Sequence, residues 1–177
     1  MAVTIRRATQ ADAHIIAATR LKVWEETYRG IYPDEKLDHY DASTYTRRDF
    51  NRMGIPGYNY YLFVDEGKCV GYFSFGPYNY GTYKDFYLTI NDLYLLKPYQ
   101  RRGLGREALE IIRNYCRTRG LKKFFCGCNA HNHNARAFYA HMGGVEGDTP
   151  VFHEDPSDDI VHFEFYLGEN ISKLKPL

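Results

Sequence analysis

A chain of 177 residues with 44% hydrophobic content suits a single domain spanning 1–177, large enough to bury a core without disulfides or metal. Its formal charge of +1, with acids and bases interspersed, argues against the basic stripe that nucleic acid or an anionic membrane surface requires. Neither a membrane-length apolar run nor a basic-then-apolar leader is present in the sequence, so cytoplasmic residence is the expectation.

Residues 3–7 read as a short strand, after which Thr9 or Asp12 can cap a helix on which Ile15, Ala18, Leu21, Val23 and Trp24 keep a helical period. Residues 33–53 look helical with interruptions, until Gly54-Ile55-Pro56-Gly57 breaks the chain. Residues 60–65 and 68–75 flank Glu66-Gly67 as a hairpin, and residues 86–96 form a long strand. A helix follows in which Leu104, Ala108, Ile111, Ile112 and Tyr115 recur up to a stop at Gly120. Residues 122–128 are a short strand that points Cys126 and Cys128 to one face, so these are expected as reduced core thiols. Residues 132–142 form a helix stopped by Gly143-Gly144, and residues 161–167 a last strand; the acidic run at 154–159 reads as a solvated turn. The order predicts an α+β fold.

Two stretches carry chemistry. The long strand runs into Gln100-Arg101-Arg102-Gly103-Leu104-Gly105 and then a helix, an order that builds an anion cradle from inward amides, a helix N-terminus and arginine charge. A plain strand–turn–helix joint with solvated arginines fits the loop equally well. The phosphate loop of nucleotide-triphosphate enzymes would need a lysine and a hydroxyl residue after its glycines, and these are absent. On the last helix Asn132, Ala135 and Tyr139 share a face at i, i+3 and i+7, so a small residue leaves room between two polar ones for a thin ligand arm. His131 and His133 straddle the start of that helix and lack a third metal ligand at a usual spacing.

Together, the Gln-x-x-Gly-x-Gly loop and Asn132-x-x-Ala135-x-x-Phe138-Tyr139-x-x-Met142-Gly143-Gly144 resemble the GCN5-related N-acetyltransferase superfamily over the whole chain. The resemblance implies an α/β/α-layered domain with a mixed sheet of about seven strands and acetyl-coenzyme A (acetyl-CoA) as cosubstrate. It places the pyrophosphate on the amides of Arg101, Arg102, Gly103, Leu104, Gly105 and Arg106. The pantetheine arm would lie along Leu93, Tyr94 and Leu95 like an added strand, with Asn132 and Tyr139 beside it. A main-chain N–H near Leu95 would face the thioester oxygen as charge develops. The resemblance further implies direct transfer of acetyl, through a tetrahedral intermediate, to a primary amine of a small molecule or peptide. It requires no metal and allows a homodimer.

Two proton movements are needed. An amine of pKa about 10.4 must be deprotonated, and a departing thiolate of pKa about 8.5 is helped by an acid, for which Tyr139, at about 10, is correctly typed. Relatives carry a basic glutamate where this chain has Gly127 or Thr89, so Asp92 is the nearest carboxylate on the central strand and Glu25 the second choice. Trp24-x-x-x-Tyr28-x-Gly30-Ile31-Tyr32 resembles the family segment whose aromatic residues wall the acceptor, Glu25, Glu26 and Asp85 are carboxylates that could attract a cationic acceptor there, and Tyr78, Tyr80 and Tyr83 offer a lid. The missing glutamates keep a non-catalytic acyl-CoA sensor open beside the enzyme, as is use of another acyl group or nucleophile.

Overall fold

The computed structural model describes residues 3–78, 87–147 and 151–168. Tyr80, Tyr83, Asp85 and the expected strand start at Phe86 lie outside them. After β1 (Thr4–Arg7), Thr9 begins a 3-10 turn in which its backbone and the Asp12 carboxylate close a capping box, and α1 (Ala13–Tyr28) starts only after that turn. The interrupted helical stretch resolves into α2 (Asp34–Asp38) and α3 (Ala42–Met53), the latter capped by the Asp41 side chain on the Ser43 amide. Next come β2 (Asn59–Asp65), β3 (Lys68–Tyr78), β4 (Tyr87–Leu95), α4 (Leu104–Thr118) and β5 (Lys123–Asn129). Then α5 (His133–His141), a two-residue β6 (Val145–Glu146) and β7 (Ile160–Tyr166) complete the domain.

The seven strands form one sheet in the order β1-β2-β3-β4-β5-β7-β6. Glu66 and Gly67 both take left-handed angles, φ 47° and 78°, which is what a two-residue hairpin turn demands. Among the described strands only β4 and β5 run parallel, because α4 carries the chain across between them. One sheet face buries Phe73, Phe75, Ile90, Phe124 and Phe163 under the apolar stripe Leu104, Ala108, Leu109, Ile112 and Cys116 of α4, with α5 alongside. The opposite face buries Tyr60, Leu62 and Tyr72 beneath Ile16 of α1. Helices on both faces confirm the layered α+β architecture.

Two expectations need correction. The face that α1 buries carries Ile16, Ala17, Arg20 and Val23, whereas Ala18 is exposed and Ile15 half-buried. A buried arginine in the stripe displaced the apolar period by which the face was chosen. The acidic run is likewise no mere solvated turn. Asp155 caps a 3-10 turn (Pro156–Asp158), whose Ser157 carbonyl accepts from Asn129 Nδ2 at 2.7 Å, whose Pro156 carbonyl meets His131 Nε2 at 2.9 Å, and whose Asp158 pairs with Lys36.

Candidate active site

β4 and β5 pair only at Thr89↔Phe125 and Ile90↔Cys126, then part. On its other side β4 stays paired with β3 as far as Gly71↔Leu95. The cause lies in that register: Phe75 faces Ile90 and Ser74 faces Asp92, so Asn91 is an extra, unmatched residue that bends the strand. A crevice therefore opens between residues 91–95 and 127–129, at the C-terminal ends of two parallel strands. The main-chain groups along that edge of β4 have no strand partner among the described residues. Asn91 Nδ2 is buried without a hydrogen-bond partner among the described residues. An orphaned buried donor beside an open strand edge fits a polar, extended ligand arm.

The loop after β4 ends at the same mouth. Arg101 (φ 62°) and Gly103 (φ 87°) are both left-handed, and Gly103 is the N-cap of α4. The Gly103 carbonyl accepts from the Glu107 amide, so the amides of Leu104, Gly105 and Arg106 belong to the helix's first turn, which has no intrahelical acceptors. Arg101, Arg102 and Arg106 are exposed around them. Free amides at a helix N-terminus ringed by arginines are a donor set of the kind that holds a phosphate-type anion. Gly105 has a different task. A Cβ on it would stand 2.9 Å from the Phe138 ring, so its absence lets α5 close against the first turn of α4.

Asn132 caps α5 by accepting from the Ala135 amide at 3.0 Å, and its side chain also faces the Tyr28 hydroxyl. Tyr139 is buried between Phe163 and Phe165, with its hydroxyl toward the Cys126 thiol. Burial first, then Cys126, Cys128, Tyr94 and Tyr28, push its pKa well up, so it stays protonated. Tyr28 is pushed up to about 12 by burial and by Tyr32, while Asn132 and Tyr94 favour its ionised form. Tyr94 is raised mainly by desolvation, then by Tyr28 and Asp92. Four sequence-chosen residues, Tyr28, Tyr94, Asn132 and Tyr139, thus converge on the crevice.

Trp24 packs edge-on against Tyr28, Tyr40 and Tyr45 at 5.7–5.9 Å between centroids and tilts against Tyr32 at 6.4 Å. Glu25 accepts from Arg29 Nε and Nη2 at 2.8–2.9 Å, and Arg29 also binds Asp34 and Asp38, which ties α1 to α2. Asp92 lies on the α1 side of the sheet, 8% exposed, accepting from Ser74 Oγ at 2.6 Å and Tyr72 at 3.3 Å, with Arg20 at 3.7 Å. Arg20 also donates to Asp49 at 2.8 Å, and both are fully buried. Burial opposes the Arg20 charge, yet Tyr72, Asp92 and Asp49 raise its pKa on balance. Sequence reasoning missed this network, although an arginine on the buried stripe of a helix was its visible signal. It also missed Asn129, whose Nδ2 lies 3.3 Å from the hydroxyl of Tyr32, the last residue of the expected acceptor wall.

A family model described as the acetyltransferase (GNAT) family matches residues 20–143. A curated relative, an uncharacterized N-acetyltransferase in the pepI 3′ region of Lactobacillus delbrueckii subsp. lactis, is 30% identical over 102 residues, 56% of this chain. The match spans 59% of that relative's length. Among solved structures, the PaiA N-acetyltransferase of Thermoplasma acidophilum in complex with coenzyme A superposes with a TM-score of 0.75 at 19% identity, covering 93% of this chain and 100% of that one. YncA of Salmonella typhimurium, a putative acetyltransferase with its cofactor acetyl-CoA, gives 0.70 at 20% identity, covering 97% of each. At these identities the superpositions speak for the fold.

Proposed function

The chain belongs to the acetyltransferase (GNAT) family, and from that premise we propose that it transfers acetyl from acetyl-CoA directly to a primary amine of a small-molecule or peptide acceptor. The observation that carries the reading is the crevice itself. One bulge opens the β4 edge, and the first turn of α4 and the start of α5 both face the opening. The fold relatives include one structure holding coenzyme A and one holding acetyl-CoA, and the donors at Leu104, Gly105 and Arg106 suit a diphosphate.

When bound, the cosubstrate supplies an acyl carbon activated by sulfur. The chain's residues do the rest. The edge of Leu93, Tyr94 and Leu95 orients the arm, and the Leu95 region offers an amide to the developing oxyanion. Tyr139, held protonated by burial, gives its proton to the departing sulfur. Tyr28 and Tyr94 hold their protons too strongly to act as bases, so they relay. A proton leaving the acceptor ammonium passes along these hydroxyls toward Asp92, whose charge is felt at Tyr94. Asp92 thus acts at second hand, since Ser74, Tyr72 and Arg20 occupy its side chain. Trp24 and Tyr28 wall the acceptor side, and Glu25 shapes it by fixing Arg29.

The test is thiol release from acetyl-CoA with an amine panel. Tyr139→Phe is expected to lower kcat by about 10²-fold without raising the KM for acetyl-CoA. Full turnover by that variant removes the acid assignment. Calorimetric binding of acetyl-CoA without turnover on any amine selects the sensor reading instead.

A further inference from the structure

The ammonium of Lys36 sits 4.2 Å from the centre of the Tyr32 ring and pairs with the Asp158 carboxylate. An aromatic face opposed by a carboxylate is the recognition chemistry of an alkylammonium ion. Tyr32 in turn stacks on Tyr28 at 4.8 Å, and Tyr28 faces Asn132 and Tyr94 at the crevice. The Lys36 position is therefore one aromatic layer out from the place where acetyl transfer is proposed. The floor beneath it is built. Asn129 Nδ2 approaches the Tyr32 hydroxyl at 3.3 Å and the Ser157 carbonyl at 2.7 Å, and His131 holds the Pro156 carbonyl, so the turn carrying Asp158 is pinned to the end of β5. The occupant is held more loosely, because the Lys36 and Asp158 side chains remain 37% and 36% exposed. Neighbouring carboxylates are already committed, Glu25, Asp34 and Asp38 to Arg29 and Asp155 to the Ser157 amide. Asp158 is the carboxylate that a guest cation would meet.

We infer that Tyr32 and Asp158 form a cation subsite for the second ammonium of a diamine acceptor, and that Lys36 fills it in the acceptor-free chain and must be displaced. The inference rests on the transfer reading for the identity of the guest as an acceptor, and its test reads binding without turnover. The probe is 1,5-diaminopentane against pentylamine, titrated calorimetrically into the full chain saturated with coenzyme A. Lys36→Met keeps the aliphatic stem and removes the competitor, so it is expected to tighten the diamine about three- to fivefold and leave the monoamine unchanged. Lys36→Arg restores a cation and the wild-type diamine affinity. Asp158→Asn weakens the diamine about threefold, again sparing the monoamine. Equal diamine affinity in wild type, Lys36→Met and Asp158→Asn overturns the subsite, as does an equal shift for both probes. Failure of thiol release on every amine would count against the transfer reading alone.

Discussion

Gly71 stands opposite Leu95 in the β3–β4 ladder, and its missing side chain sets how closely the two strands approach at the proposed thioester position. A Cβ at Gly71 would lie 2.4 Å from the Tyr94 carbonyl oxygen and 3.0 Å from the Leu95 Cα. Ordinary carbon–oxygen contacts begin near 3.3 Å, so Gly71→Ala must push β4 away by about 0.9 Å, and the obstacle is backbone that cannot rotate aside. Overpacking of this kind costs about 2 kcal/mol, which in a chain of this length lowers Tm by about 4–8 °C. The displaced segment carries the amide proposed to meet the oxyanion, and a misplacement of about 1 Å costs about 10²-fold in rate. The assays are thermal unfolding followed by circular dichroism, and kcat from thiol release at saturating acetyl-CoA. Gly67→Ala is the control. It is strained by its left-handed angle but faces open space, so it loses stability by about 1–2 kcal/mol while kcat holds. A Gly71→Ala variant with wild-type kcat would refute the claim that strand spacing at Leu95 positions the chemistry.

Arg20→Leu leaves Asp49 and Asp92 buried without their shared cation and is expected to cost about 3–5 kcal/mol in urea unfolding, with much of the loss recovered when Asp49→Leu is added. An unstable double variant would show that the network does more than balance charge. Asp12 is held at about 2, below its ordinary 3.8, chiefly by the Arg6 guanidinium. The stability it contributes is complete above about pH 4 and lost as pH falls through about 2, and it amounts to about 1 kcal/mol because Arg6 is half in solvent. Asp12→Asn should flatten that part of the acid limb of a Tm–pH curve, and an unchanged limb would exclude the pair as its source.

Most strands were legible because their signals are local. The Glu66-Gly67 turn needs two left-handed residues, and the Gly103 cap, α4 and Asn132 lie where their sequence patterns put them. Tyr139 was legible as a neighbour of Asn132 because helical spacing alone sets the two on one face of α5, and the structure buries it there. What escaped was long-range. Nothing near position 20 in the chain announces Asp49 or Asp92, which complete the Arg20 network from other elements, and that arginine misled the reading of α1. Composition marks the 154–159 run as polar and so predicts a solvated turn, while its partners Asn129, His131 and Lys36 lie distant in sequence. The two glycines of the loop look equivalent in the motif, yet one supplies a backbone angle and the other a helix contact.

The extra residue in β4 offers the sharpest separation of fold from function. Ile90 and Leu93 face the same core, and Asp92 and Tyr94 face α1, so removing Asn91 leaves every later side chain in phase while Phe75↔Ile90 and Ser74↔Asp92 become consecutive pairs of a regular ladder. Deleting it also removes a buried donor that has no partner among the described residues. The strand loses its reason to bend, and β4 can continue beside β5 beyond Ile90↔Cys126. A deletion inside a central strand ordinarily destroys a domain by turning its apolar face outward. Here the expected result is the reverse: Tm unchanged or higher, stronger hydrogen-exchange protection at the Leu93 and Leu95 amides, and calorimetric affinity for coenzyme A lost. Should the shortened chain fold and still bind coenzyme A, the crevice must be held open by something other than the bulge, with the packing of Phe138 on Gly105 the next place to cut.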